Sequence, residues 1–333
     1  MKKLFAMLMT VALAFSAGGC GGSEPAADNG LEDFSVVLDW YPNAIHSFLY
    51  VAEEKGYFEE EGLNLVVNFP SNTNDGISMP AAGRADLGIY YLQDAILTAV
   101  EEDVPIVSVG SMVQESLNVV IALKESGIDG AEDLAGKKIG YAGTALSEAQ
   151  IECMLEKAGV SAKECELIDV GFDLLTATTT GQVDATIGNM VNHEVPQLEE
   201  QGIEINYFFP TDFGVPEYYE LVFLAGQDAV ENNPEKLQKF LRAAKKGFDF
   251  MKENPEEALQ ILLDNQNAEN FPLSETVEQA SMEVLLPAME KEGQPFMYQD
   301  VSVWQDNADW LYEMGLLSEQ ADVSDMVADL LSE

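Results

Sequence analysis

From Phe34 onward, short runs of apolar, β-type residues alternate with longer stretches whose apolar positions recur at helical spacing. The runs Phe34–Leu38, Leu63–Phe69, Ala85–Tyr90 and Val104–Val109 predict strands, with helices over Ile45–Lys55, Gly76–Ala82 and Gln93–Glu101 between them. The rhythm resumes with strands at Lys138–Tyr141, Leu167–Val170, Ala185–Ile187 and Ile203–Phe208, and helices at Ser147–Ala158, Leu174–Thr180 and Asn192–Gln201. Such βα alternation implies an α/β fold with mostly parallel sheets covered by helices. Two further strand-like runs, Asn118–Lys124 and Glu220–Ala225, are placed to cross between two lobes, the second returning the chain to the first. Beyond them the chain is helical. Asn233-Pro234-Glu235 and Asn254-Pro255-Glu256 each set a cap, a proline at the first helical position and an acid near the positive helix end. Leu237, Phe240, Leu241, Ala244, Phe248 and Met251 then form a core-facing stripe, with solvated lysines between them.

An internal echo supports two similar lobes. Gly83-Arg84-Ala85-Asp86-Leu87-Gly88-Ile89 and Gly181-Gln182-Val183-Asp184-Ala185-Thr186-Ile187 share G-x-x-D-x-x-I at the same place in each βα series. In both, a helix is expected to end at the glycine and a strand to begin after the aspartate. The length of 333 residues allows two modest domains. The net charge of −43 excludes nucleic acid as a partner, because such binding draws on Lys and Arg replacing counterions. At 47% hydrophobic and 9% aromatic residues, the chain is nonetheless folded rather than an acidic disordered tract.

The amino terminus reads as an export signal. Lys2 and Lys3 precede an apolar run, Leu4–Phe15, too short for a stable bilayer span, and Ser16-Ala17-Gly18-Gly19-Cys20 resembles a bacterial lipobox, with Ala17 where leucine is usual. Cys20 is then the acylated first residue of the mature protein, and the Gly-, Ser-, Pro- and acid-rich stretch after it a tether. The expected organisation is a signal peptide at 1–19, a lipid-anchored linker at 20–33, lobe 1 from 34–117 plus 221–333, and lobe 2 from 118–220. The protein is expected on the extracytoplasmic face of a bacterial membrane, held there by its lipid anchor alone. Cys153 and Cys165 could pair in that compartment, although burial as small apolar side chains is the reading preferred.

The chemical inventory contains only two histidines, His46 and His193, and no H-E-x-x-H, C-x-x-C, phosphate-loop, G-x-S-x-G or calcium-loop motif. With Arg84 in a turn and Arg242 on the polar side of a helix, no bidentate clamp for an anion is in view, so a neutral or cationic ligand is expected. The helix N-terminus at Gly143-Thr144 keeps an anion site open. Aromatic and amide residues instead gather at strand-to-helix junctions, where α/β sheets bind ligands: Trp40, Tyr41, Asn43 and His46 after the first strand, Tyr90 and Tyr91 after the third, Asn189, Asn192, His193 and Glu194 in the second lobe, and Tyr218 and Tyr219 at the return crossing. That set suits a flat heterocycle, with rings for stacking and with amides and a carboxylate for ring nitrogens and an exocyclic amine. Each residue also has a plainer reading: the rings as core, His46 as a structural histidine, Asn43 as a helix cap, Glu194 as one surface acid among many.

The opening Leu38-Asp39-Trp40-Tyr41-Pro42-Asn43-Ala44-Ile45-His46, followed by Tyr50-Val51-Ala52 and Lys55-Gly56-Tyr57-Phe58, resembles the thiamin-pyrimidine family of solute-binding proteins. Asn192-His193-Glu194-Val195-Pro196 and Asp212-Phe213-Gly214-Val215-Pro216-Glu217-Tyr218-Tyr219 resemble further segments of its extracytoplasmic members. The resemblance implies a two-lobed periplasmic-binding-protein fold of type II. It further implies a small heterocyclic ligand, a pyrimidine precursor of thiamin, delivered to an ABC transporter permease by a monomeric protein that needs no cofactor or metal. Trp40, Tyr91 and Tyr218 are then candidates for stacking, Asn43 and Asn189 for amide hydrogen bonds, Glu194 for accepting from the amine, and His46 for supporting the first loop or donating directly; Tyr90, Gly143 and Thr144 complete the candidate site. Relatives in the wider superfamily bind riboflavin, sulfonates or nitrate, so another flat heterocycle is the nearest alternative. The family also includes a fungal pyrimidine synthase. Its cofactor-binding lysine and reactive histidine fall here on Tyr90 and Asp94, and its cysteine-rich iron-binding run falls near Phe213–Tyr219, which holds no cysteine. An enzyme is therefore not expected.

Overall fold

A computed structural model describes residues 30–72, 74–171, 173–266 and 272–331; the export signal, Cys20 and most of the expected linker lie outside the described residues. The first series runs β1 (Glu32–Val37), α1 (Ser47–Glu54), α2 (Tyr57–Glu60), β2 (Leu63–Asn68), α3 (Asp75–Ala81), β3 (Leu87–Tyr91), α4 (Leu92–Glu101) and β4 (Ile106–Val113). The second is β5 (Asn118–Leu123), β6 (Lys138–Tyr141), α5 (Ala145–Lys157), β7 (Glu166–Asp169), α6 (Leu174–Thr179), β8 (Ala185–Met190), α7 (Glu194–Glu200) and β9 (Ile205–Phe208). The chain then returns through β10 (Leu221–Gly226) into α8 (Gln227–Asn232), α9 (Pro234–Glu253), α10 (Pro255–Asn265), α11 (Glu275–Met289) and α12 (Val301–Glu313). Among the described residues no helix is long and apolar enough to cross a membrane.

These strands form two five-stranded sheets of the same plan, β2-β1-β3-β10-β4 and β7-β6-β8-β5-β9. In each, the strand that enters directly after a crossover lies fourth in order and runs antiparallel to both neighbours, while the first three run parallel. The two-lobed α/β architecture is therefore as expected. The mostly parallel sheets are as expected too, the exceptions being β5 and β10, each of which enters its sheet from the other lobe instead of through a βαβ crossover.

Side-chain alternation puts both faces of the central strands to use. On β10, Leu221, Phe223 and Ala225 join one apolar cluster with Phe48, Phe240 and Phe248, whereas Val222 and Leu224 join a second with Leu92, Ile96 and Trp304. Both clusters continue into the second sheet, through Val119 and Ile121 on one face and Val120 and Ile139 on the other. The stripe foreseen on α9 is buried, with Phe240 stacked on Phe34 at 4.5 Å and Phe248 on Phe296 at 4.3 Å. Its lysines are not simply solvated: Lys236 reaches Asp86 at 2.6 Å and Lys246 reaches Glu60 at 2.9 Å. Pro234 and Pro255 do open their helices, but neither Asn233 nor Asn254 makes the side-chain cap expected of it. Cys153 and Cys165 are both free and half-buried.

The echo has a structural cause. Gly83 and Gly181 follow α3 and α6 at φ of +64° and +72°, a left-handed conformation that glycine takes without strain. Asp86 then accepts the Ser35 N–H at 2.8 Å, and Asp184 accepts the Lys138 N–H at 2.8 Å. In each lobe the equivalent carboxylate ties the start of one parallel strand, β3 or β8, to its neighbour, β1 or β6.

Candidate ligand-binding site

The loop after β1 is built on a short cap. Asn43 precedes a single 3-10 turn, Ala44–His46, and its Oδ1 accepts the Ile45 N–H at 3.0 Å while His46 Nδ1 accepts the Asn43 N–H at 3.4 Å. With Nδ1 accepting, the His46 proton sits on Nε2, which meets Asp39 Oδ1 at 2.9 Å. His46 is wholly buried, with both ring nitrogens engaged inside this loop. Trp40, by contrast, is 53% exposed, its indole edge-on to Tyr41 at 5.7 Å and free to stack.

Tyr90 and Tyr91 end β3 with their rings edge to face at 5.1 Å. Burial pushes the Tyr91 hydroxyl well above its ordinary range, and the charges of Asp39, Glu220 and Asp94 push it the same way. Those three carboxylates thus share one neighbourhood with Tyr91. Burial also lifts Asp94 to about 6 and Glu220 to about 7. Glu220 accepts the Leu117 N–H at 2.6 Å and the Asn118 N–H at 3.2 Å, linking the two segments that cross between lobes.

In the second lobe, the end of β8 and the turn after it carry Asn189 to Glu194. Asn189 Nδ2 donates to the Thr186 carbonyl and hydroxyl, both at 3.0 Å, while its Oδ1 is buried without a partner. Glu194 accepts the Met190 N–H at 2.7 Å with one oxygen and pairs with His193 Nδ1 at 3.0 Å through the other; that hydrogen bond is the main reason the His193 imidazole is raised above its usual range. Asn189 and Glu194 line one cavity of about 160 Å³ together with Leu174 and Gly188.

Helix α11 brackets both sides. Glu278 accepts the Ala44 N–H of the first loop at 2.7 Å, and Ser281, one turn on, accepts from Asn192 Nδ2 at 3.0 Å. At the helix end, the Ala288 carbonyl accepts the Gln114 N–H of the first crossover segment at 2.7 Å. The structure therefore brings the Trp40–His46 loop, the Asn189–Glu194 turn and the crossover segments onto one support.

The other candidates stand differently. Tyr218 is buried, with its hydroxyl among Ser116, Asn118 and Glu220, and it lines a separate cavity of about 400 Å³ with Tyr219 and Asp300. Gly143 and Thr144 are exposed at the start of α5, where Thr144 Oγ1 caps the Ser147 N–H at 3.1 Å. The Asp169 carboxylate lies where a Cβ on Gly143 would be, within 2.6 Å of it, so negative charge already faces this helix end.

The description NMT1/THI5 like matches residues 43–258. The chain belongs to the NMT1/THI5-like family. One relative in it, a formylaminopyrimidine-binding protein of Halalkalibacterium halodurans, is 44% identical over 311 residues, which cover 93% of this chain and 94% of that one. A 4-amino-5-hydroxymethyl-2-methylpyrimidine phosphate synthase of Aspergillus parasiticus is 28% identical over 259 residues, or 74% of each chain. Among solved structures, the periplasmic aliphatic sulphonate binding protein SsuA of Escherichia coli superposes with a TM-score of 0.70 at 17% identity, covering 91% of this chain and 94% of that one. At that identity the likeness speaks for the fold alone.

The NMT1/THI5-like fold also recruits residues that pattern reading passed over. Asp39, Asp94, Glu220 and Glu278 are four acids among 59, with no local spacing to mark them. The one available signal was position: Glu220 directly precedes the all-apolar β10, where a lone carboxylate has to be buried or turned aside.

Proposed function

We propose that this chain is an extracytoplasmic solute-binding lipoprotein that captures a thiamin pyrimidine precursor, of the hydroxymethyl- or aminomethylpyrimidine type, and delivers it to an ABC importer. The observation that carries the reading is the cavity that Asn189 and Glu194 line together, with the Asn189 amide oxygen buried behind it without a partner. Two acceptors so placed suit the exocyclic amine of an aminopyrimidine, since an unspent buried acceptor is costly until a ligand donates to it. Exposed Trp40 supplies a face for the ring, and the 44% identity to a formylaminopyrimidine-binding protein supports this choice of heterocycle. Lobe 1 is taken as 34–117 plus 221–333 and lobe 2 as 118–220, with ligand between them favouring a closed arrangement that the permease distinguishes from the open one. Cys20 as a lipid anchor is the sequence's contribution to this reading.

No bond chemistry is assigned. The synthase relatives keep weight as a class, but their lysine and histidine correspond here to Tyr90 and Asp94, neither of which can form an imine or replace an imidazole. Calorimetric titration with formylaminopyrimidine, hydroxymethylpyrimidine and riboflavin, followed by mass spectrometry of the recovered compound, tests the proposal. One-site binding of a pyrimidine returned unchanged is expected. Binding of riboflavin alone, or conversion of the bound pyrimidine, overturns it.

A further inference from the structure

A chain of buried amides runs from the ligand side of lobe 2 into lobe 1. Strand β8 carries a bulge: its pairing with β5 passes from Val119↔Asn189 to Val120↔Ile187, so Gly188 has no residue opposite it, and its φ is +104°. Its N–H, freed from the ladder, donates to Asn118 Oδ1 at 3.0 Å. Asn118 Nδ2 donates to Gln150 Oε1 at 3.1 Å, Gln150 Nε2 to Gln93 Oε1 at 3.0 Å, and Gln93 Nε2 to Asn307 Oδ1 at 2.9 Å. Asn307 Nδ2 closes the series on the Glu217 carbonyl at 2.9 Å and the Val303 carbonyl at 2.8 Å. All four side chains are buried. Every link points the same way, so turning any one amide over would set donor against donor and break two bonds.

The link that matters lies between Gln150 on α5, which flanks the second sheet, and Gln93 on α4, which flanks the first. It is a direct side-chain bond between lobes, set among apolar neighbours such as Leu92, Ile151 and Trp304. Separating the lobes there exchanges this bond for bonds to water, and re-forming it requires both amides to be desolvated in register. At the other end the relay fixes the bulge that presents the next residue, Asn189.

We propose that Gln93, Gln150 and Asn118 are positioning residues that hold the Asn189 turn in its binding geometry from the opposite lobe, so that ligand affinity depends on a hydrogen bond the ligand never touches. The inference rests on the reading that Asn189 contacts the ligand. Coupling of this kind requires an element with two arrangements, and the proposal assigns that part to the crossover segments that Glu220 ties together.

Gln150→Met, Gln93→Met and the double variant test it, since methionine keeps length and packing but cannot complete the relay. The readouts are formylaminopyrimidine affinity and dissociation rate, together with amide exchange of the segment 185–191 in the unliganded protein. Each single variant should bind about tenfold more weakly, chiefly through faster release, and the double variant no more weakly than the worse single one. Exchange at Gly188 should rise in all three. Affinity within about twofold of wild type despite a lowered melting temperature, or losses that multiply in the double variant, would overturn the proposal. Should wild type fail to bind the pyrimidine, the functional reading falls, and unchanged Gly188 exchange in Gln93→Met would separately sink the relay. Gln93→Met, altered in the lobe that does not carry Asn189, decides the case if Gln150→Met does not fold.

Discussion

Glu220 is 3% exposed and ties the two crossover segments through the Leu117 and Asn118 N–H groups. Burial lifts its carboxyl from 4.5 to about 7, against the pull of those two bonds and the Tyr218 hydroxyl. An acid suppressed in this way holds its proton more tightly when folded. Its contribution to stability is therefore full below the unfolded value and is lost as pH rises through about 7. At ~1.4 kcal/mol per pH unit of displacement, the whole change is about 3 kcal/mol. Glu220→Gln keeps an acceptor for both amides while removing the buried charge. Above neutrality the variant should therefore exceed wild type by up to ~3 kcal/mol, and the gap should shrink to under about 1 kcal/mol near pH 5. Urea midpoints for both proteins at intervals from about pH 5 to 8.5 would measure this. Asp94, raised to about 6, and His193, raised by Glu194, lose stability in the same direction, so the decisive quantity is the difference between the two curves. A gap that does not vary with pH, or a variant less stable at pH 8, would refute the argument.

Glu194→Gln should weaken pyrimidine binding by about tenfold or more, as expected for loss of a charge-assisted hydrogen bond, and should lower the His193 titration midpoint in NMR, since Glu194 is the main cause of its elevation. An unmoved midpoint would show that the pair does not persist in solution. In the two echo positions, Asp86→Ala should cost more than Asp184→Ala, about 2–3 against 1–2 kcal/mol in urea unfolding. Asp86 serves Lys236 and both polar groups of Ser35, whereas Asp184 holds the Lys138 N–H at a more exposed site. Equal losses would contradict that distinction.

The strands were legible in the sequence because buried α/β strands are short continuous runs of Val, Ile, Leu and Phe, and the echo because its aspartate performs one backbone task in both lobes. What could not be read was direction. Nothing within Leu221–Gly226 says that it runs against its neighbours; that follows from the lobe the chain has just left. The site divides in the same way. Trp40, Asn43, His46 and Glu194 fall in local motifs and so could be named as candidates, with Asn43 and His46 capping and bracing each other. Glu220, Glu278 and the amides of Gln93 and Gln150 act across separations of 32 to 234 residues, where no periodicity reaches. Cys20 and the export signal rest on sequence alone.

The fourth place in each sheet also constrains how the molecule is made. Among the described residues strand β4 has no ladder partner but β10, and β3 meets β4 only through it. A chain emerging amino end first must therefore carry β4, every residue of which is buried in the finished fold, as an open edge until some hundred further residues have appeared. The inserted half, whose strands need nothing from beyond residue 208, is free to assemble during that wait. A molecule cut short before Leu221 keeps an exposed seam on β4 that the missing strand would have covered.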